Sequence, residues 1–330
     1  MESTKKFQTK EQHLHRIQEG ISFGDGGDYS ASEYLTMAQE QMKKWISRYR
    51  PDAANGSVSL TPDDLEQCYW DAVEINNDDY VVEYGNDVDS IEFGSGFPRS
   101  ERGRSLDTTK LSSKSPEDEL NSKKDEQSNI SLPEPKFGTE EFYKGMFYNF
   151  EISFHYLRFL VVSSTCLFVL LISFWLVESY WNLNNIPNCP DSILQYVKVG
   201  INGINVPWMY FGNLFSTFCW HNEDNYLYSI NYHHWGAPKQ WYGVPGTSQD
   251  AEGLEKVFKS YLSMKMRDTP DLLHHITTMF SPRLLQSGAV PVYKILQHPG
   301  EFIVTFPRAF HGGFSMGPNA GEAVNFATHE

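Results

Sequence analysis

Two histidines and a glutamate carry the most specific chemistry in this sequence. His221-Asn222-Glu223 sets an imidazole and a carboxylate two residues apart. Side chains on a β-strand alternate between faces, so His221 and Glu223 project together. A third ligand must come from elsewhere, and His311 is the natural candidate. It follows the strand-like run 302–306 and precedes Gly312 and Gly313. A bulky residue there would crowd an approaching ligand. Two imidazoles and one carboxylate on one face of a metal form the facial triad of non-haem Fe(II) oxygenases, whose open positions take a co-substrate and O2. A bare His-x-Glu is a weak signal in a chain with 11 histidines. Lys239 adds to it, because it lies among Trp235, Gly236, Ala237, Pro238, Trp241 and Tyr242. A buried ammonium there needs an anionic partner, and the distal carboxylate of 2-oxoglutarate would be one. The plain alternative is a surface lysine on a hairpin turn after Pro238.

The elements that must position these groups are short strands. Aromatic and β-branched runs at 206–211, 215–220, 226–232, 240–244, 290–296, 302–306 and 313–316 are separated by Gly and Pro turns, a pattern of sandwiches and barrels. Helices are expected over 248–262 and 269–280. Upstream, apolar residues at helical spacing predict a helix over 32–49, capped by Asp28 or Ser30 and ended by Pro51. Thr61-Pro62-Asp63-Asp64 starts another, running to about residue 74. A β-rich run follows at 80–84 and a loop at 93–98. The glycine-rich 23–28 reads as a linker-like turn, since no Gly-Lys-Ser/Thr follows it to make a phosphate loop.

The chain of 330 residues is 40% hydrophobic and 15% aromatic, enough for a sizeable core. Its 27 basic and 42 acidic residues give a net charge of −15. That balance argues against general binding to nucleic-acid phosphates and is compatible with a basic peptide partner. Four cysteines without a CxxC pair offer no structural zinc site and read as reduced, intracellular thiols. The N-terminus has no apolar secretory stretch. Residues 99–140 are polar and charged and read as disordered. The run 159–177 is uncharged and apolar for 19 residues, the length of a minimal membrane span.

The runs VPWMYFGNLFSTFCWHNEDNYLYSINYHHWGAPKQWYGVPG (206–246), PVYKILQHPGEFIVTFPRAFHGGFSMG (291–317) and EAVNFAT (322–328) resemble the JmjC domain of histone lysine demethylases. Val82-Glu83-Tyr84-Gly85, FGSGFP (93–98), WNLNNIP (181–187) and PDLLHHITTMFSP (270–282) are similar to its JARID/Lid subfamily. The resemblance covers roughly 61–98 and 181–330. It implies a mainly β fold, a double-stranded β-helix of the jelly-roll or cupin type with surrounding helices. It implies an Fe(II)- and 2-oxoglutarate-dependent dioxygenase that uses O2 to demethylate tri- or dimethylated lysine 4 of histone H3. The products are formaldehyde, succinate and CO2. His221, Glu223 and His311 would hold the metal. Lys239 and Tyr84 would hold the co-substrate's distal carboxylate, with Phe218, Ser229, Asn231 and Asn325 around it. Tyr210, Trp208 and Trp241 would line the methyl-lysine pocket; the plain alternative for each is core packing, which for Trp208 weighs nearly the same. A nuclear location, a methylated histone H3 tail and chromatin complexes as partners follow from the same resemblance.

The sequence departs from that pattern in three places. Ser315 stands where the family usually has asparagine. The family's JmjN, ARID and PHD motifs are not recognisable, and the helical, zinc-bearing region that follows the barrel in the family is missing after Glu330. The connection between FGSGFP and WNLNNIP is long. The expected organisation is therefore an N-terminal helical or linker segment (1–60), an N-terminal part of the catalytic region (61–98), a disordered and apolar insertion (99–180) and a barrel truncated at its C-terminus (181–330). Within the insertion, 145–177 has three readings: translated intron, which is favoured, membrane span, or another insertion. The second functional reading is a catalytically impaired fragment that still binds a histone tail.

Overall fold

The computed structural model describes residues 5–19, 23–75, 80–99, 177, 179–262 and 278–329. Two compact units emerge, one of residues 1–96 and 201–327, the other of 97–200 and 328–330. The expected disordered stretch and nearly all of the apolar run 159–177 lie outside the described residues. Among the described residues no helix is long and apolar enough to cross a membrane.

The larger unit is a jelly-roll of two antiparallel sheets. The strands are β1 (Phe7–His13), β2 (Gly24–Tyr29), β3 (Val81–Asp89), β4 (Trp208–Gly212), β5 (Thr217–His221), β6 (Tyr228–Gly236), β7 (Lys239–Gly243), β8 (Tyr293–Gln297), β9 (Phe302–Thr305), β10 (His311–Ser315) and β11 (Asn319–Phe326). One sheet runs β2-β1-β3-β4-β11-β6-β9 and the other β5-β10-β7-β8. The expected barrel strands are present, each shifted by a few residues.

The helices begin where capping chemistry directs. Helix α1 (Ala31–Tyr49) is capped by Ser30, whose side chain accepts from the Glu33 amide while Glu33 answers the Ser30 amide. After the single turn α2 (Pro51–Ala54), α3 (Pro62–Glu74) starts at a Thr61–Asp64 capping box. Further helices are α4 (Ser90–Phe93), α5 (Ser248–Tyr261) and α6 (Pro282–Ser287). The helix expected over 269–280 falls largely outside the described residues, and 278–280 is not helical.

The glycine-rich 23–28 is not a linker but strand, pairing with β1. Glycine gives no strand signal of its own, and the partners decide. A Cβ on Gly26 would lie 2.9 Å from the Glu83 carboxylate, which instead accepts from the Gly27 amide at 2.9 Å and the Tyr29 hydroxyl at 2.9 Å. Residues 7–13 and 24–29 are thus strands of the jelly-roll sheet. Gln12 on β1 closes both backbone groups of Thr217, donating to its carbonyl at 2.7 Å and accepting from its amide at 2.8 Å. Thr217 opens β5, the strand that ends in His221.

Helix α3 seals the outer face of the smaller sheet. Tyr69 stacks on Phe314 of β10 at 3.9 Å and 9°, with its hydroxyl 3.0 Å from Thr217. Trp70 donates to Tyr242 of β7, and Tyr242 donates to Glu66. Buried aromatics of this kind contribute about 1.5–3 kcal/mol each, so the core grips the strands that carry the site.

In the smaller unit, Asn182 donates to the Pro98 carbonyl at 2.7 Å and accepts from the Asn184 amide at 3.0 Å. The unit contains the short turns Ile186–Asn188 and Ile193–Tyr196.

Candidate metal centre and its cavity

Strands β5 and β10 run antiparallel, with His221 directly opposite His311. The strand ends at His221, but the backbone stays extended through Glu223 (φ −71°, ψ 150°), so the alternation still brings the carboxylate to the same side. One ligand atom from each of His221, Glu223 and His311 falls within 4.8 Å of the others. Glu223 Oε1 is 3.2 Å from His311 Nε2 and 3.9 Å from His221 Nε2.

Backbone carbonyls set the ring orientation. Nδ1 of His221 is 2.7 Å from the Cys219 carbonyl, and Nδ1 of His311 is 3.0 Å from the Ala309 carbonyl. A carbonyl only accepts, so each Nδ1 carries a proton and each Nε2 is the nitrogen turned to the site. Burial acts to raise the Glu223 carboxyl. The hydrogen bond from His311, the two imidazoles and the Asn325 amide outweigh it and hold the group at about 2. His221 faces the cavity, with 45% of its side chain accessible. Desolvation, and then the neighbouring His311, keep it below the ordinary imidazole range against the pull of Glu223. At neutral pH the set is therefore one carboxylate and a neutral His221 beside His311, the donor chemistry a divalent iron requires.

All twelve residues singled out from the sequence line one cavity of about 370 Å³. Lys239 is 2% exposed, and no described residue forms an ion pair with it. Its Nζ lies 5.5 Å from the Phe218 ring centroid and 6.0 Å from that of Tyr210. Burial alone lowers its ammonium to about 8. Tyr84, also buried, is held protonated by desolvation, and no described residue takes its hydroxyl. A buried cation and a phenol donor facing an open space are what a ligand carboxylate fits.

Three side chains have partners that the sequence alone does not indicate. Asn325 donates to Glu223 Oε2 at 2.7 Å and to the Tyr228 carbonyl at 3.1 Å, so its amide protons orient the carboxylate. Trp241 lies against the His311 ring (6.0 Å, 26°) with its indole N–H on Gln297, forming the wall behind that histidine. Ser315 is buried outside the cavity, its hydroxyl 3.4 Å from Asn319 Oδ1. Phe218 meets the cavity beside Trp241 (4.6 Å), Ser229 shares a 2.8 Å hydrogen bond with Thr305, and Trp208 is half-buried against Gly203. The crowding expected around Gly313 is real but comes from the protein: an added Cβ would lie 2.6 Å from the Phe218 ring and clash with the Gln240 carbonyl.

The sequence reading missed Gln297. Fully buried on β8, it accepts from Trp241 at 2.8 Å and donates to Asn231 Oδ1 at 3.2 Å. It also missed Asn86 and Asp87, which line the cavity from β3. The Gly85-Asn86-Asp87 break in a β-rich run was the available signal for them.

Comparison with known proteins agrees with this geometry. A family model described as "JmjC domain, hydroxylase" matches residues 208–326. The chain is 37% identical over 314 residues to Lysine-specific demethylase JMJ703 of Oryza sativa subsp. japonica, covering 95% of this chain and 20% of that protein. It is 53% identical over 150 residues to Lysine-specific demethylase JMJ17 of Arabidopsis thaliana (46% of this chain, 12% of that protein). It is 50% identical over 152 residues to Lysine-specific demethylase 5B of Gallus gallus (46% and 10%). The chain thus spans a fifth or less of the length of these relatives.

Proposed function

The chain carries a JmjC domain, and from that premise we propose that it is an Fe(II)- and 2-oxoglutarate-dependent histone lysine demethylase acting on tri- or dimethylated lysine 4 of histone H3, in the nucleus. The observation that carries this reading is the conjunction in one cavity of the His221–Glu223–His311 cluster with a buried, ion-unpaired Lys239. The names of the curated relatives support the demethylase class.

Iron, when bound with 2-oxoglutarate and O2, would supply the oxidation that turns an N-methyl group into formaldehyde, with succinate and CO2 as the co-products. The chain's own residues hold and orient. His221, Glu223 and His311 would ligate the metal through Nε2, a carboxylate oxygen and Nε2. Asn325 fixes the Glu223 carboxylate. Lys239 and Tyr84 would hold the distal carboxylate of the co-substrate, with Phe218 covering it and Ser229 and Asn231 along the same wall. Tyr210, Trp208 and Trp241 would line the pocket for the methylated side chain. A methylated histone tail is the partner this reading requires, and chromatin complexes are its setting.

The test is turnover. The chain, with and without residues 145–177, is incubated with Fe(II), 2-oxoglutarate, ascorbate and a trimethylated histone H3 tail peptide. Loss of 14-mass-unit steps is followed by mass spectrometry, with His221→Ala as control. Turnover in either form that disappears in the control supports the demethylase. Peptide binding without turnover in both forms moves the reading to a histone-binding fragment.

A further inference from the structure

Strand β3 is irregular where it passes the cavity. Gly85 pairs with Phe211 and Val88 with Met209, so three steps on β3 oppose two on β4. That is a β-bulge with one extra residue, at Asn86-Asp87, and bulges beside active sites re-aim a side chain. Its effect here is specific. Regular pleating would show the cavity Tyr84 and Asn86 and turn Asp87 to the opposite face. Instead Tyr84, Asn86 and Asp87 all line the cavity. Asp87 takes a left-handed backbone (φ 56°) to do so, a conformation Asp and Asn tolerate better than most residues.

The bulge presents a carboxylate without a cation. The Asp87 carboxylate receives the Tyr210 hydroxyl and the Asn86 amide, the latter at 2.8 Å. No cation lies within ion-pair distance of it among the described residues. Lys10, on the adjacent strand, is held by Asp25 at 2.6 Å. Asn86 Oδ1 is buried and has no hydrogen-bond partner. The cavity is therefore lined both by Lys239, a cation without an ion-pair partner among the described residues, and by the Asp87 carboxylate of the bulge, which lacks a cation. Ligands of opposite charge suit them.

We infer that Asp87, aimed by the bulge and steadied by Tyr210, reads the positive charge of the methylated ammonium group. This rests on the demethylase reading of the same cavity. A quaternary ammonium has no N–H to donate, so a carboxylate and a carbonyl oxygen against its polarised methyl groups are the recognition available. Asp87 is in this account a specificity-determining residue, distinct from the metal ligands.

The test compares two labelled peptides that differ in one atom. One carries trimethyl-lysine, the other its neutral isostere with carbon in place of the quaternary nitrogen. Binding is read by fluorescence anisotropy with manganese(II) and 2-oxoglutarate, without O2. The wild-type chain should prefer the cationic peptide by roughly tenfold, the effect of one partly desolvated charge contact. Asp87→Asn and Asp87→Gly should bring the two peptides to parity. Both replacements accept φ near +56°, so melting temperature and manganese affinity should hold. A preference that persists in both variants overturns the assignment to Asp87. Equal binding of both peptides by the wild type overturns charge reading while leaving the lysine pocket. Failure to bind either peptide overturns the demethylase reading, and this inference with it.

Discussion

His221 and His311 are cross-strand partners, and each ring donates Nδ1–H to the carbonyl two residues before it, of Cys219 and Ala309. Their ring centroids lie 4.3 Å apart. The backbone of two strands thus fixes both tautomers before any ligand arrives, so the ordering entropy of the site is largely met by folding. A metal should therefore bind tightly, and loss of either ring should be felt in binding more than in folding. His221→Ala and His311→Ala should each drop manganese(II) binding below detection by titration calorimetry. The melting temperature of the metal-free chain should move by no more than a few degrees. Wild-type affinity in either variant would remove that residue from the ligand set.

Asn325 gives a graded version of the same test. Its amide holds Glu223 at 2.7 Å and helps keep that carboxyl at about 2. Outer partners of metal ligands typically contribute 10–100-fold to affinity. Asn325→Ala should weaken manganese(II) binding by about that factor, measured at pH 7. Binding weakened less than about threefold would show that Asn325 does not orient Glu223.

Lys239 makes opposite predictions for stability and for binding. Its folded value, about 8, lies below the ordinary lysine value of 10.5 because the ammonium is buried. The unfolded chain therefore binds more protons between those values, and stability contributed by this group rises with pH through that window. Co-substrate affinity should do the reverse, falling above about pH 8 as the ammonium is lost. Lys239→Met should raise the melting temperature of the metal-free chain at pH 7, remove the alkaline rise relative to wild type, and abolish 2-oxoglutarate binding. Differential scanning fluorimetry and calorimetry from pH 7 to 9.5 read both. A destabilised Lys239→Met with a flat wild-type binding profile contradicts the assignment.

Much of this architecture is readable because it follows from short-range rules. The Ser30 and Thr61 caps, the alternation of barrel strands and the pairing of His221 with Glu223 depend on residues within a few positions of each other. The third member of the His221–Glu223–His311 cluster was reachable because His311 follows a strand-like run. What was not legible depends on contacts between distant segments. The glycine-rich 23–28 becomes strand because Thr9 and Glu83 receive it. Ser315 stands where the resemblance expects a pocket asparagine, but its hydroxyl turns to Asn319 and it lies outside the cavity lining. Asp87 enters the cavity only through a register shift against β4, and a single sequence does not state where a ladder slips.

Gln297 ties the fold to the site, and its removal should cost both. It is fully buried and answers the Trp241 indole, the Asn231 side chain at 3.2 Å and the Glu301 carbonyl at 3.1 Å. It also pairs in register with Lys239 across β7 and β8. Gln297→Leu keeps approximate volume but leaves the Trp241 donor and the Asn231 acceptor unmet in a dry interior. Each such orphan costs about 1–3 kcal/mol, so urea unfolding should show a loss of roughly 2–4 kcal/mol. Trp241 would also lose its anchor beside His311, and 2-oxoglutarate affinity should fall while His311 itself remains. Because the metal ligands are untouched, manganese(II) binding without co-substrate should weaken less than in Asn325→Ala. A Gln297→Leu chain as stable as wild type, with unchanged co-substrate affinity, would show that Trp241 and Asn231 are held by packing alone.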